Sequence, residues 1–278
     1  MTATIDTGID SDTTVETPVD DAMERLEREQ AHVEEKRTAF RQFQAAVEEL
    51  PIDRSAGRAS TPHATDGGMV AATTAAERDR GSTRCKQVRS AFAETVASRC
   101  REEYEEADSA LAVLREELSD ELALVLAPTD GQFTAPVKRT VLSAVGNRRE
   151  ELGTLSTALE TEAESVRTAA DTIDGVTDWL VAANETPLSE LGFDALQQRH
   201  ETLAEHRQQC ETAVTERQTV LESTTSQNGS VGVAHRSVVT MLYDGFPDEH
   251  PVLATLARLD ECCAQCQRVM RDHLVRRV

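Results

Sequence analysis

The sequence predicts an all-α protein, built as an elongated antiparallel helical bundle or coiled-coil hairpin. Apolar residues recur at intervals of three, four and seven through most of the chain, which is the spacing of amphipathic helices. Aromatic residues make up only 3%, so the core has to be built mainly from Ala, Val and Leu. The one run of β-branched residues, Val238–Thr240, is too short to predict a strand.

The first predicted helix runs from Asp20 to Leu50. Its apolar residues at every seventh position are Leu26, Val33, Phe40 and Val47. Pro51 ends this helix, because the residue before a proline is disfavoured in the helical conformation. Acidic, Thr-rich residues 1–19 are predicted to be a disordered tail, and residues 52–80 a flexible insertion, since neither shows sustained periodicity.

Helical spacing resumes near Ser82, and a bend or break is expected in the polar segment that follows Cys100. One further helix is then predicted up to Pro128. Its expected apolar stripe is Leu111, Leu114, Leu118, Leu122 and Val125. Residues 128–133, with Asp130-Gly131 at the centre, predict a turn.

The longest predicted helix extends from Thr134, a suitable N-cap, to about Ala183, with Pro136 in its first turn. It would be roughly 75 Å long at 1.5 Å per residue. Its apolar residues repeat every seven positions: Val145, Leu152, Leu159, Val166, Ile173 and Leu180. A seven-residue period kept for so many turns predicts a supercoiled contact with neighbouring helices.

A short connector containing Pro187 should turn the chain into a second helix, Phe193 to Glu222, that packs antiparallel to the first. Because this partner is shorter, the terminal helices are expected to cover the rest of the long one. A flexible loop at 223–235, a short helix from Arg236 to Tyr243 and a final helix capped by Asp248 or Glu249 complete the prediction. Residues 20–278 are expected to form a single domain.

Charge is the strongest compositional signal, with 50 acidic and 29 basic residues and a net charge of −21. Lysine occurs only at Lys36, Lys86 and Lys138, and arginine supplies the remaining positive charge. This composition is typical of a protein adapted to concentrated salt, which screens repulsion between carboxylates. An acidic binding surface is the less favoured interpretation. The fold is therefore expected to depend on salt.

The segment "DECCAQCQRVMRDH" raises the question of a metal or redox site. Its residues Cys263 and Cys266 continue a helical seam, and free cysteine packs as a small hydrophobic side chain, so packing is the preferred interpretation. His273 lies about 10 Å along the axis from Cys266, too far to share a zinc ion. Three low-ranking metal candidates remain, which are Cys262, Cys263 and Cys266. A site there would need another ligand, from Cys85, Cys100 or Cys210.

A thiol-redox role is disfavoured because the pair lies about three turns inside its helix, where the helix dipole no longer lowers a thiol pKa. Two other pairs were weighed as metal ligands, Glu29 with His32 and His200 with His206. The first lacks the second pair that a di-iron bundle needs, and the second is six apart rather than four. Surface or boundary positions are therefore preferred for both.

No motif for nucleotide binding or catalysis occurs in the sequence, so we expect no enzyme, no catalytic residue, no cofactor and no identifiable small-molecule substrate. Nucleic-acid binding is not expected, because the net charge opposes phosphate despite Arg148-Arg149 and an arginine-rich C-terminus. No signal peptide or membrane-spanning segment is recognised. These features predict a cytoplasmic protein without membrane association, with reduced cysteines.

Three blocks carry a family resemblance: "GQFTAPVKRTVLSA", "LSELGFDALQQRHETLAEHRQQCE" and "LYDGFPDEHPVLATLARL". They resemble an uncharacterised haloarchaeal family, domain of unknown function 7260, whose members are helical and rich in coiled coil. The resemblance covers most of the chain from the first helix onward, outside residues 52–80 and the loop after Glu222. It implies no established activity, so no catalytic residue is carried over. The cysteine cluster does not resemble a family motif, which further favours packing.

The expected function is that of a non-enzymatic helical scaffold or protein–protein interaction protein of a halophilic cytoplasm. The long seven-residue stripe, which exceeds any single partner helix, predicts self-association or a protein partner. The alternative is a metal- or thiol-dependent regulatory protein that uses the C-terminal cysteine cluster.

Overall fold

The computed structural model describes residues 17–52, 83–100, 109–127, 132–225 and 233–276. The fold is all-α, which confirms the predicted fold class. The helices are α1 (Pro18–Glu49), α2 (residues 83–92, extended by a π-helical turn at Ala93–Ala97), α3 (Ala110–Glu117), α4 (Asp120–Val125), α5 (Ala135–Asn184), α6 (Phe193–Leu221), α7 (His235–Leu242) and α8 (Pro251–Val275). Two-residue strands, β1 (Thr224–Thr225) and β2 (Val233–Ala234), pair antiparallel ahead of α7.

The chain divides into two compact units, and α1 and α5 each contribute to both. Among the described residues, the first unit contains 17–29, 158–225 and 233–276, and the second contains those from 30 to 157. The single domain expected over residues 20–278 stays a prediction.

In the first unit, α5 and α6 run antiparallel, as the predicted hairpin requires. Near the connector, Arg199 donates to the carbonyl of Ala183 at 2.7 Å. At the other end of the pair, Arg217 of α6 contacts Glu162 of α5 at 2.6 Å. Residues later in α6 therefore contact residues earlier in α5, as they do in an antiparallel pair.

Helix α8 lies against α6, also antiparallel. Arg207 of α6 binds Asp260 at 2.8 Å, and Gln267 donates to the carbonyl of His200 at 3.1 Å. The buried side chains of α8 include Leu256, Cys263 and Met270, three residues of the predicted seam. The other three members, Leu259, Cys266 and His273, are half-buried.

In the second unit, α1 lies along the beginning of α5. Arg37 donates to the hydroxyl of Ser156 at 3.2 Å. Lys138 donates to the backbone carbonyls of Glu48 and Leu50, at 2.7 Å each, and so satisfies the C-terminus of α1 with a positive charge. The buried apolar side chains of this unit include Phe133, just before α5, and, from its described helices, Phe40, Phe43, Phe92, Leu114, Leu122 and Val145.

The seven-residue stripe of α5 is buried at five of its six positions, from Val145 to Ile173, and Leu180 is half-buried. Each unit therefore buries its own part of this stripe. The sequence located this helix to within one residue at each end, because a strict period over many turns is the strongest helical signal.

The predicted stripe from Leu111 to Val125 is wrong as one continuous helix. The structure breaks at Leu118, and Ser119 accepts a hydrogen bond from the backbone N–H of Leu122 at 3.2 Å, which caps α4. After the break, Leu122 is buried as predicted, but the next buried residue is Leu126 rather than Val125, which is exposed. A serine cap offers the backbone partners that compete with helix continuation.

The predicted cap of α8 is also wrong. His250 occupies the N-cap position without a side-chain hydrogen bond to the helix, and Asp248 instead accepts from Arg258 at 2.8 Å. Pro251 does begin the helix as expected.

The predicted segment boundaries agree with the structure only in part. Helix α1 begins at Pro18, inside the predicted tail, and residues 1–16 lie outside the described residues. The predicted insertion lies outside them from residue 53 onward. Of the predicted loop 223–235, the ends form β1, β2 and the first residue of α7, and residues 226–232 are not described.

Candidate functional site

A cluster of buried polar side chains surrounds Glu162 in the first unit. Arg217 donates to both carboxylate oxygens, at 2.6 and 2.7 Å. His235 Nε2 lies 2.7 Å from Oε2, and the Tyr243 hydroxyl donates to Oε1 at 2.8 Å. Ser165 accepts a further bond from Arg217 at 3.1 Å. Helix α5 supplies the carboxylate, α6 the guanidinium, and α7 with the residue after it the imidazole and the phenol.

The environment of Glu162 keeps it ionised. Burial alone would raise the pKa of this carboxyl, but hydrogen bonds from His235 and Arg217, together with the charge of Arg217, outweigh burial and lower the pKa to about 2. Burial first, and then the neighbouring carboxylate, raise the pKa of Tyr243 far above its ordinary value. The phenol therefore stays protonated and acts as a hydrogen-bond donor.

The cluster is closed to solvent, since Glu162, Arg217, His235 and Tyr243 are each no more than 2% exposed. A carboxylate can only accept, so the imidazole carries its hydrogen on Nε2. Two buried nitrogens, Nδ1 of His235 and Nε of Arg217, have no hydrogen-bond partner among the described residues. These contacts orient the four side chains and pair the charge of Glu162 with that of Arg217 inside the bundle. None of the four side chains is open to a substrate.

An open groove lies beside the cluster, between α5 and α6. Its volume is about 540 Å³. Ala169 and Ala213 are buried in its floor, and Val220 is half-buried. The exposed carboxylates along it are Glu160, Glu164 and Glu216. The groove thus has a shallow apolar floor of small side chains and an acidic rim.

A second groove, also of about 540 Å³, lies between α6 and α8 and is lined in part by Cys210, Leu256 and the Arg207–Asp260 pair. Cys210 of α6 and Cys263 of α8 are both buried. Burial is the main reason that the pKa of each of these thiols is raised, that of Cys263 to about 12. Both thiols are therefore protonated packing groups at neutral pH.

The other two cysteines of α8 lie toward solvent. Cys262 is exposed and Cys266 is half-buried. All six cysteines of the chain lie within the described ranges, and none of them forms a disulfide. Across those ranges, no three His, Cys, Asp or Glu side chains converge in a way that could hold a metal ion.

The second unit has its own buried carboxylate, Glu117. Lys36 binds one of its oxygens at 2.7 Å, and Arg148 binds the other at 3.0 Å. Burial opposes the charge on Arg148, but its contacts with Glu117 and Glu151 raise its pKa overall. The guanidinium weighed in sequence as a nucleic-acid contact is thus engaged inside the protein.

The remaining residues singled out in the sequence are dispersed. Glu29 and His32 are half-buried on α1. His206 packs on Trp179 with ring centroids 5.0 Å apart and contacts Gln209, whereas His200 occupies a separate half-buried position. The structure therefore assembles none of these pairs into a site.

Sequence reasoning missed the Glu162 cluster, although a signal was present. Arg217 lies seven residues after Cys210 and so continues the series Leu196, Leu203, Cys210. Glu162 lies three residues after Leu159, on the same apolar face of α5. A charged residue at such a position indicates a buried charge that needs a partner on a neighbouring helix.

The chain belongs to the family described as a domain of unknown function (DUF7260), which matches residues 17–267. No curated protein and no solved structure matches the chain. The described helices include none whose length and hydrophobicity would let it cross a lipid bilayer.

Proposed function

We propose that this protein is a non-enzymatic helical scaffold that binds another helical protein through the groove between α5 and α6. The observation that carries this proposal is the open groove itself, whose floor is formed by the buried Ala169 and Ala213 and the half-buried Val220. Small side chains let a third helix approach closely, and laying an amphipathic helix into such a groove is a common mode of recognition.

The charge of the groove rim indicates which kind of helix would bind there. Glu160, Glu164 and Glu216 edge the groove, so a helix with a small apolar face flanked by Lys or Arg would complement it. A second copy of this chain would bring the same acidic rim and a net charge of −21. We therefore favour a separate, basic helical partner over self-association.

The Glu162 cluster supports a structural role beneath this surface. Ser165 lines the groove and also accepts a hydrogen bond from buried Arg217. The ion pair between Glu162 and Arg217 thereby holds α5 and α6 at the spacing that defines the groove. Buried ionic groups that set the register of packed helices are a well-attested device.

We further propose that the protein works in the cytoplasm of a salt-rich, haloarchaeal-type cell. The excess of carboxylates and the scarcity of lysine support concentrated salt as its medium. Six cysteines without a disulfide support a reducing compartment.

The test places a photo-crosslinking amino acid at Val220 in the groove and, as control, at Thr219 on the outer face of the same helix. Thr219 is exposed and does not line the groove. In high-salt lysate, Val220 should crosslink to a basic helical segment of one partner, identified by mass spectrometry, and Thr219 should not.

Filling the groove should remove that crosslink. Ala213→Trp would occupy the floor, whereas Thr219→Trp adds the same side chain outside it. We expect loss of the partner with Ala213→Trp only, with helicity unchanged by circular dichroism. Equal crosslinking from both positions, or a crosslink to a second copy of this chain, would contradict the proposal.

A further inference from the structure

Cys262 and Cys266 form a pair of thiols on the outer side of α8. They are four residues apart, which places them on one face of the helix about one turn apart. Cys262 is exposed and Cys266 half-buried, so the pair is accessible from solvent.

The acidic side chains beside this pair each form an ion pair with an arginine. Asp260 binds Arg207 at 2.8 Å, and Glu261 binds Arg268 at 2.8 Å. Beneath the pair, Cys263 is buried against α6. Because these two carboxylates are already paired, the sulfur atoms of Cys262 and Cys266 are the groups that a ligand would bind at this position.

The helical spacing disfavours a disulfide between these two cysteines. Residues four apart on a helix have Cβ atoms about 5–6 Å apart. A disulfide needs Cβ atoms roughly 3.5–4.5 Å apart. Closing the bond would distort α8, which is packed on α6 through Leu256 and Gln267.

A bridging metal ion fits the same spacing better. With metal–sulfur bonds of about 2.3 Å, as zinc has, two sulfurs on opposite sides of an ion lie over 4 Å apart. Zinc itself would need four ligands, and no group of three exists among the described residues. Soft thiolate ligands select copper(I), an ion that accepts two ligands in a line.

We propose that Cys262 and Cys266 together bind one soft, thiophilic cation of the copper(I) class. Two S–H bonds break, two sulfur–metal bonds form, and both protons pass to water, with no change in oxidation state. The site is independent of the groove between α5 and α6, and it gives the exposed side of α8 a ligand of its own.

Both thiols must lose their protons when they bind the ion. Because the metal must displace protons, its affinity should rise with pH. Cys263 is a poor competitor, since its side chain is fully buried in the core.

The test is an anaerobic titration of the full chain with copper(I) held by a chromogenic chelator. The wild type should remove one equivalent per chain from the chelator. Cys262→Ser and Cys266→Ser should each weaken binding by more than the roughly 10- to 100-fold that outer-shell partners contribute. Both substitutions lie at least partly in solvent, so helicity should be unchanged.

Cys263→Ala is the matched control, because it removes the thiol that lies between the two ligands in sequence but points into the core. It should retain the one-equivalent uptake. Uptake that survives Cys262→Ser, or that is lost equally in Cys263→Ala, would overturn the assignment, as would no uptake by the wild type.

Discussion

At the scale of single residues, five buried or partly buried charges occupy positions where a helical seam ordinarily holds Leu or Ile. Lys36 and Arg148 each lie three residues after a seam valine and share Glu117 in the second unit. Glu162 and Arg217 pair in the first unit. A buried ion pair adds little net stability, but removing one partner leaves an unpaired buried charge. Helices packed in a shifted register would leave these charges buried and unpaired, so the charges favour the observed register.

The first prediction concerns Glu162→Gln, which keeps the side-chain volume but removes the charge. Arg217 would then be a buried cation without a counterion, and we expect the free energy of unfolding to fall by about 3–5 kcal/mol. Urea unfolding in high salt measures this change. Glu164→Gln, at an exposed position on the same helix, should change it by no more than about 0.5 kcal/mol. Similar losses in both variants would contradict a special role for Glu162.

The second prediction concerns acid. The pKa of Glu162 is lowered from its ordinary 4.5 to about 2 in the fold. As pH falls below 4.5 the unfolded chain takes up a proton that the folded chain does not, so stability is lost between about pH 4.5 and 2. Roughly 2 kcal/mol of the Glu162 contribution should be gone by pH 3.

The comparison of wild type with Glu162→Gln isolates this contribution from the other carboxylates. The gap in unfolding free energy between the two proteins should narrow from pH 6 to pH 3. A gap that stays constant over that range would show that the carboxylate is not held ionised by Arg217 and His235.

At the scale of elements, the helices that sequence located best are those with the longest uninterrupted period. In α5, burial follows the seven-residue series through Ile173 and weakens at Leu180, near the connector. Where the series was short, between Leu111 and Val125, a serine cap divided the predicted helix in two. A local cap can therefore end a helix whose apolar stripe is short, whereas a long apolar stripe keeps the helix continuous.

The third prediction uses two leucines of the α5 series within the first unit. Leu159 is fully buried, so Leu159→Ala should lower the free energy of unfolding by about 2–5 kcal/mol through lost burial and a cavity. Leu180 is half-buried, so Leu180→Ala should cost clearly less. Chemical denaturation of both variants gives the comparison, and equal losses would argue against the observed burial of the two side chains.

At the scale of the whole molecule, the net charge of −21 makes electrostatic repulsion a general property of the chain. A local example is Asp174: burial first, and then the carboxylates of Asp20, Asp178 and Asp171, raise its pKa. Salt shortens the range of such repulsion to about 3 Å at 1 M, from about 30 Å at 0.01 M. Close buried pairs such as Glu162 and Arg217 are screened far less.

The fourth prediction follows from this contrast. The thermal midpoint followed by circular dichroism should fall as salt is lowered from molar to millimolar. Asp174→Asn should raise the midpoint in low salt, because it removes one member of a like-charge group, and should leave it nearly unchanged in molar salt. A stabilisation of the same size in both conditions would mean that repulsion is not its cause.

The sequence alone determined the helical fold, the bounds of the long helices and the antiparallel α5–α6 hairpin. It also indicated that Cys263 packs in a seam. These properties depend on the spacing of apolar residues along one helix, and that spacing is written directly in the chain. Its charge predicted a salt-dependent protein, which awaits the measurement described above.

The tertiary structure alone decided which polar residues meet. Glu162, Arg217, His235 and Tyr243 are separated by up to 81 residues along the chain, and nothing local to any one of them specifies the other three. It also decided that Cys262 and Cys266 lie toward solvent while Cys263 lies inside. The physical reason is that the period of a helix specifies which face is buried, whereas the partner opposite that face depends on how separate helices pack.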